Sequence, residues 1–268
     1  MPATPARHVG HGPRTVFWLH GWFGSATAWG EVPRSLDPEA ATHVFLDYRG
    51  HGQRRDEPGE YTLAEIAGDV LAEADRRDAP RFSLVGHSMG GGAALRVVAD
   101  APERVEALIG ISPTGPTPTP FDERARGLFY GAPADHGSRA AIIDLTTGTR
   151  LTQTWVQSVV SHSATTREEA FGSHLRAWAE ADFAEELREA VQRVAGLPAM
   201  VVVGGHDPAL GEETIRATWG EFWPDLRIEV LPDAGHYGPD EAPVRVATLV
   251  DAFLEQTRER AQAGSSGT

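Results

Sequence analysis

Six short, mainly apolar runs, each bounded by turn-forming residues, constrain the fold of this chain more than any other feature. They occupy residues 15–19, 43–46, 82–85, 105–111, 199–203 and 227–231 and are rich in Val, Ile, Leu and Phe. A strand with one wet face alternates apolar and polar residues, whereas a strand covered on both faces does not. The runs therefore predict a parallel sheet buried between helices. The segments between them supply the helices. Thr62 and Glu65 form a capping-box signature, followed by Leu63, Ile66, Ala67, Val70, Leu71 and Ala74 on the stripe of a core-facing helix. Val246, Leu249, Val250, Phe253 and Leu254 make a similar stripe near the C-terminus. This alternation predicts an α/β fold with a mostly parallel, doubly wound sheet.

One stretch departs from the alternation. Residues 113–196 contain no strand signal; they begin with a Pro/Thr-rich linker over 113–120 and continue as helix-like pieces carrying Phe121, Phe129, Tyr130, Trp155, Phe171, Trp178 and Phe183. They read as a helical cap or lid inserted over the sheet edge where strands end. The expected division is a first core part over 1–112, the cap over 113–196, a second core part over 197–260 and a flexible Gly/Ser-rich tail over 261–268. Residues 1–13, with His8 and His11, read as an unanchored leader to the first strand, without the apolar stretch of a signal peptide.

Composition removes whole classes of chemistry. The chain of 268 residues contains no Cys, no Lys and no Asn; all 24 basic residues are Arg, and the net charge is −14. Schiff-base lysines, Ser-Lys dyads and lysine-bearing phosphate loops are impossible, as are thiol nucleophiles, disulfides and Cys-ligated metals. The acidic balance argues against nucleic-acid binding, which needs cations to replace phosphate counterions. No apolar run approaches the ~20 residues of a membrane span, so a cytoplasmic protein is expected.

The chemistry centres on Gly86-His87-Ser88-Met89-Gly90, which follows the run 82–85 and precedes a helical segment. This is G-x-S-x-G in the strand–turn–helix context its geometry demands. Side chains at the flanking glycines would collide with neighbouring strands, and the helix N-terminus presents free N–H groups where negative charge would develop. A serine hydroxyl is a weak nucleophile and needs a base with a group to orient it. Of eleven histidines, His236 lies in a glycine-flanked loop just past the run 227–231, at a strand's C-terminal end. Asp207 follows Gly204-Gly205-His206 after the run 199–203, and Pro208 holds it in an extended conformation. The alternative acid position, Ser112-Pro113-Thr114, contains no carboxylate. Two N–H donors must meet the tetrahedral oxyanion, and the backbones of Met89 and Trp22 are the candidates. Trp22, Phe23 and His87 are the candidate substrate contacts. His20 and His43 read as packing or hydrogen-bonding residues near strands; His162 and His174 could at most face substrate.

Together, His20-Gly21-Trp22, Asp47-Tyr48-Arg49-Gly50-His51-Gly52, Gly86-His87-Ser88-Met89-Gly90-Gly91, Gly204-Gly205-His206-Asp207 and Gly235-His236 run in the order found in α/β-hydrolase-fold proteins of the cap-domain type. That group, which the chain resembles, includes esterases, lactonases and cofactor-free haloperoxidases. The resemblance implies a Ser88–His236–Asp207 triad with no cofactor and no metal, acting on a small-molecule substrate. Asp-nucleophile branches, such as the dehalogenases and epoxide hydrolases, do not fit Ser88. Carbon–carbon hydrolases and type II thioesterases differ in their first motif. Gln53-Arg54-Arg55 stands where the family usually has Ser or Thr, so no role carries over there. The expected activity is cleavage of a carboxylic ester or lactone of a small to medium apolar substrate. Carbon–carbon hydrolysis, acyl transfer, perhydrolysis and a non-catalytic binding role are the alternatives; the residues say nothing of oligomeric state.

Overall fold

The structure, a computed structural model, describes residues 6–194 and 196–265. Seven strands, β1 (Ala6–Val9), β2 (Arg14–Leu19), β3 (Ala41–Leu46), β4 (Phe82–His87), β5 (Val105–Ile111), β6 (Ala199–Gly204) and β7 (Arg227–Leu231), form one sheet in the order β1-β3-β2-β4-β5-β6-β7. All neighbouring pairs are parallel except β1 with β3. Helices α1 (Val32–Ser35), α2 (Leu63–Arg76) and α3 (Met89–Asp100) accompany the first strands. Between β5 and β6 lie α4 (Glu123–Gly131), α5 (His136–Thr146), α6 (Gln153–Ser163), α7 (Glu168–Ala179) and α8 (Ala184–Arg193). Helices α9 (Glu212–Thr218), α10 (Gly238–Glu241) and α11 (Pro243–Ser265) complete the chain.

Five of the six apolar runs have the cause inferred for them; the sixth, β7, lies at the sheet edge and is only partly buried. Along β2, Phe17 and Leu19 join one core cluster while Val16 and Trp18 join the other. Successive side chains point to opposite faces, and here both faces are dry. The first cluster packs under α2 and α3, the second under α11. In α2, Leu63, Ile66, Ala67, Val70 and Ala74 are buried, with Leu71 half-buried. Its capping box is only half reciprocal. Thr62 Oγ1 accepts from the Glu65 N–H, but the Glu65 carboxylate reaches further back and accepts from the N–H groups of Glu60 and Tyr61.

Three boundaries differ from the sequence reading. The N-terminal segment is anchored: β1 pairs with β3, placing His8 opposite Val44, and the His11 N–H donates to Pro38 O at 2.9 Å. A four-residue edge strand with two exposed members carries no continuous apolar signal, which hid it. At the other end α11 runs through Ser265, so the tail expected from residue 261 is helical that far; 266–268 lie outside the described residues. Finally, α8 packs on α3 of the sandwich, whereas the large cavity is covered by α4–α7. The covering segment therefore ends before α8 rather than at residue 196. No helix among the described residues is long and apolar enough to cross a membrane.

Candidate active site

Parallel register brings the C-terminal ends of the central strands to one edge, with Leu19 opposite Gly86, Gly86 opposite Gly110, and Gly204 opposite Leu231. The residues just past those ends are the ones singled out above. Ser88 sits between β4 and α3 with φ 55° and ψ −120°. A non-glycine residue at positive φ is strained and persists only where its surroundings over-determine it. Here the Ser88 N–H donates to Ile111 O at 3.0 Å, while Ser88 O accepts from Gly91 N–H at 2.8 Å and Thr114 N–H at 3.0 Å. A side chain at Gly90 would overlap Leu19 O, so the elbow closes only with glycine there.

His236 Nδ1–H donates to Asp207 Oδ2 at 2.7 Å, which leaves the Nε2 lone pair free to take a proton. Asp207 Oδ1 accepts from the N–H groups of Ala209 and Leu210 at 3.0 and 3.1 Å. Burial alone would raise this carboxyl, but His236 and the two N–H donors outweigh it and hold the group below its ordinary range. Ser88 Oγ and His236 Nε2 are not joined by a hydrogen bond, a link that often tightens only when substrate binds. Both residues line one cavity of about 730 Å³.

On the other side of Ser88, His20-Gly21-Trp22-Phe23-Gly24 forms a turn closed by Gly24 N–H donating to Gly21 O at 2.9 Å. His20 Nδ1–H donates to the same oxygen at 2.8 Å. Because the Gly21–Trp22 peptide is planar and trans, holding its oxygen also fixes the direction of the Trp22 N–H. A Cβ on Gly21 would lie 3.2 Å from Ser88 Cβ, so this peptide runs directly past Ser88. The Met89 N–H lies at the first turn of α3. Burial pushes His20 down to about 3, so the ring stays neutral and remains a single-proton donor.

Trp22, Phe23 and His87 all line the cavity. The Trp22 ring stacks on Phe171 at 4.3 Å between centroids, and its indole N–H donates to Phe171 O at 2.7 Å. His87 also has a partner the sequence did not indicate: its Nε2 lies 2.9 Å from His236 O, tying β4 to the loop after β7. Burial pushes His87 down to about 3. Of the insertion histidines His162 and His174, the first lines the cavity, whereas the second is buried away from it against His51. Phe121, Phe129, Leu145, Trp155, Val159 and Trp178 from the insertion complete an apolar wall.

With this geometry in view, comparison with known proteins places the chain. The family model described as "Alpha/beta hydrolase family" matches residues 16–249. The dihydrolipoyllysine-residue acetyltransferase component of the acetoin cleaving system of Pseudomonas putida is 30% identical over 251 residues, covering 92% of this chain and 65% of that protein. The chain thus spans less than two thirds of that relative's length. An esterase from Exiguobacterium antarcticum superposes with a TM-score of 0.81 at 19% identity, covering 93% of this chain and 94% of the other. The enol-lactonase from Burkholderia xenovorans gives 0.78 at 21% identity, with 94% and 96% covered. At these identities the two structures speak to the fold.

Proposed function

Because the chain belongs to the alpha/beta hydrolase family, we propose that it is a serine hydrolase cleaving a carboxylic ester or lactone of a small to medium apolar substrate. The observation that carries this reading is the 2.7 Å bond from His236 to Asp207, in the cavity that also exposes the strained Ser88. His236 Nε2 takes the Ser88 proton as Oγ attacks the carbonyl carbon. Asp207 keeps the imidazole in the Nδ1–H tautomer and stabilises the imidazolium. The N–H groups of Trp22 and Met89 meet the oxyanion of the tetrahedral intermediate. His236 then returns the proton to the departing alkoxide, leaving an acyl-serine. Water, deprotonated by the same nitrogen, releases the acid. The aromatic walls favour an apolar acyl or alcohol group, since such pockets bind chiefly by burying apolar surface.

Replacement of Ser88 by Ala tests the proposal. Turnover of a nitrophenyl ester should vanish while the melting temperature stays within a few degrees. Activity retained in a clean preparation would overturn it. Labelling of Ser88 by a fluorophosphonate separates an enzyme from a binding protein that kept the fold. A second reading, acyl transfer, is favoured by the name of the Pseudomonas putida relative. It predicts that an added alcohol or thiol diverts most of the acyl group from water; hydrolysis predicts that free acid dominates.

A further inference from the structure

The turn that carries the Trp22 N–H is gripped by the helical insertion at two points on one helix face. Phe171 and His174 lie three residues apart on α7, hence side by side. Phe171 O accepts from the Trp22 indole N–H at 2.7 Å. His174 reaches the turn through a relay: its Nδ1 lies 3.0 Å from His51 Nε2, and His51 Nδ1 lies 3.0 Å from Gly24 O. All three side chains are buried.

Proton counting fixes the direction of this relay. Gly24 O can only accept, so His51 Nδ1 carries a hydrogen; Thr166 Oγ1, 3.3 Å from the same nitrogen, lies at longer range. His51 Nε2 in the neutral ring is then a lone pair, so His174 Nδ1 must donate. His174 Nε2 is left as a buried acceptor with no partner. A buried polar atom without a partner costs free energy. A phenylalanine would fill the same space without that cost, but it could not donate to His51. Downstream, the Ala26 N–H donates to Asp47 Oδ1 at 2.7 Å, and Ser25 Oγ meets His162 Nε2 of α6 at 3.0 Å. The turn is therefore pinned on the core side by His20 and Asp47 and on the insertion side by α6 and α7.

We propose that His174 is a positioning residue which, through His51 and Gly24 O, sets the turn that presents the Trp22 N–H. Seating of α7 and formation of the oxyanion site are then one event. This rests on the serine-hydrolase reading above. It predicts an effect on kcat rather than on KM, because the Trp22 N–H gains strength as charge develops on the carbonyl oxygen and contributes little to holding the ground state.

Steady-state kinetics of the full chain on a nitrophenyl ester test the proposal with three variants. His174→Phe keeps the ring volume and removes the donor. His174→Asn places an amide N–H where Nδ1 stood. His174→Gln keeps the amide but sets it one bond too far out. His174→Phe and His174→Gln should lower kcat about thirtyfold, below the ~10²–10³-fold cost of deleting an oxyanion donor outright. KM should stay within threefold, and His174→Asn should recover kcat to within about fivefold. If His174→Phe fails to fold, His174→Gln against His174→Asn makes the same comparison. The positioning role is wrong if both disabling variants keep kcat within threefold of wild type, or if all three lose it equally. In either case loss of turnover in Ser88→Ala leaves the hydrolase reading standing. Wild-type protein that neither turns over the ester nor takes a fluorophosphonate at Ser88 sinks the reading beneath as well.

Discussion

At the scale of single residues, the proposed mechanism depends on atoms that tolerate no substitute. Asp207 presents an acceptor to His236 Nδ1 and has its other oxygen occupied by two N–H groups. Asn at this position can turn its amide N–H towards His236 and stabilise the tautomer whose proton sits on Nε2, the wrong nitrogen for a base. Asp207→Asn should therefore lower kcat by about 10⁴-fold with little change in melting temperature. A nitrophenyl-ester assay giving less than a tenfold loss would remove Asp207 from the triad. Gly90→Ala is a stability prediction. Its methyl group would overlap Leu19 O, a backbone atom that cannot turn aside. The cost should be about 2–3 kcal/mol, read as a lower urea midpoint. Ser88, His236, Asp207 and Trp22 were legible as candidates because each stands in a loop or turn just past an apolar run. Arg54, Glu73 and His174 were not. Arg54 and Glu73 are charged side chains buried inside ion pairs, Arg54 with Asp69 and Glu57, Glu73 with Arg76 and Arg77. Such pairing is invisible until the partners are brought together.

At the scale of elements, apolar runs located every strand buried on both faces and the partly buried β7, and missed the short edge strand β1. The insertion shows the same limit differently. Its helices were readable from composition, but their docking was not, because it rests on side chains that read as generic packing. Phe171 of α7 lies between the Trp22 ring and the Arg139 guanidinium, which sits 3.9 Å from the Phe171 ring centroid. Arg139 itself is buried and donates to Ala132 O and Pro133 O, so it ties α5 to the end of α4 while its guanidinium packs on the Phe171 ring of α7. Element ends, by contrast, follow local chemistry. Thr62→Ala removes the acceptor for the Glu65 N–H and should destabilise the fold by about 1 kcal/mol. An unchanged denaturant midpoint would show that the Glu65 carboxylate alone suffices to start α2.

At the scale of the whole molecule, the buried histidines set how stability responds to acid. Burial is the largest influence on each: it pushes His20 and His87 down to about 3 and His43 to about 4, and holds His51 and His174 well below the usual range. Unfolded, each titrates near 6.5. Between pH 6.5 and 4 the unfolded chain binds protons that the folded chain refuses, so stability present above pH 6.5 is lost as pH falls. Each such residue contributes a slope of at most ~1.4 kcal/mol per pH unit. Melting temperature should be nearly flat from pH 8 to 7 and drop steeply from 6 to 4. Equal melting temperatures at pH 7.5 and 4.5 would show that the histidines titrate freely in the fold.

The sequence by itself determined the sheet, the strand–turn–helix elbow at Ser88 and the positions of the proposed base and acid, because each is written in short-range form: an apolar run, a glycine that admits a close backbone, a loop at a strand's end. Only the tertiary structure decided which histidines face the cavity, where β1 and α11 attach, and how the insertion sits. The docking of the insertion joins residues more than a hundred positions apart, as His51 joins His174 and Trp22 joins Phe171. A hydrogen bond of that kind depends on where two elements dock and on which ring nitrogen holds the proton, and neither is a property of any local stretch of chain.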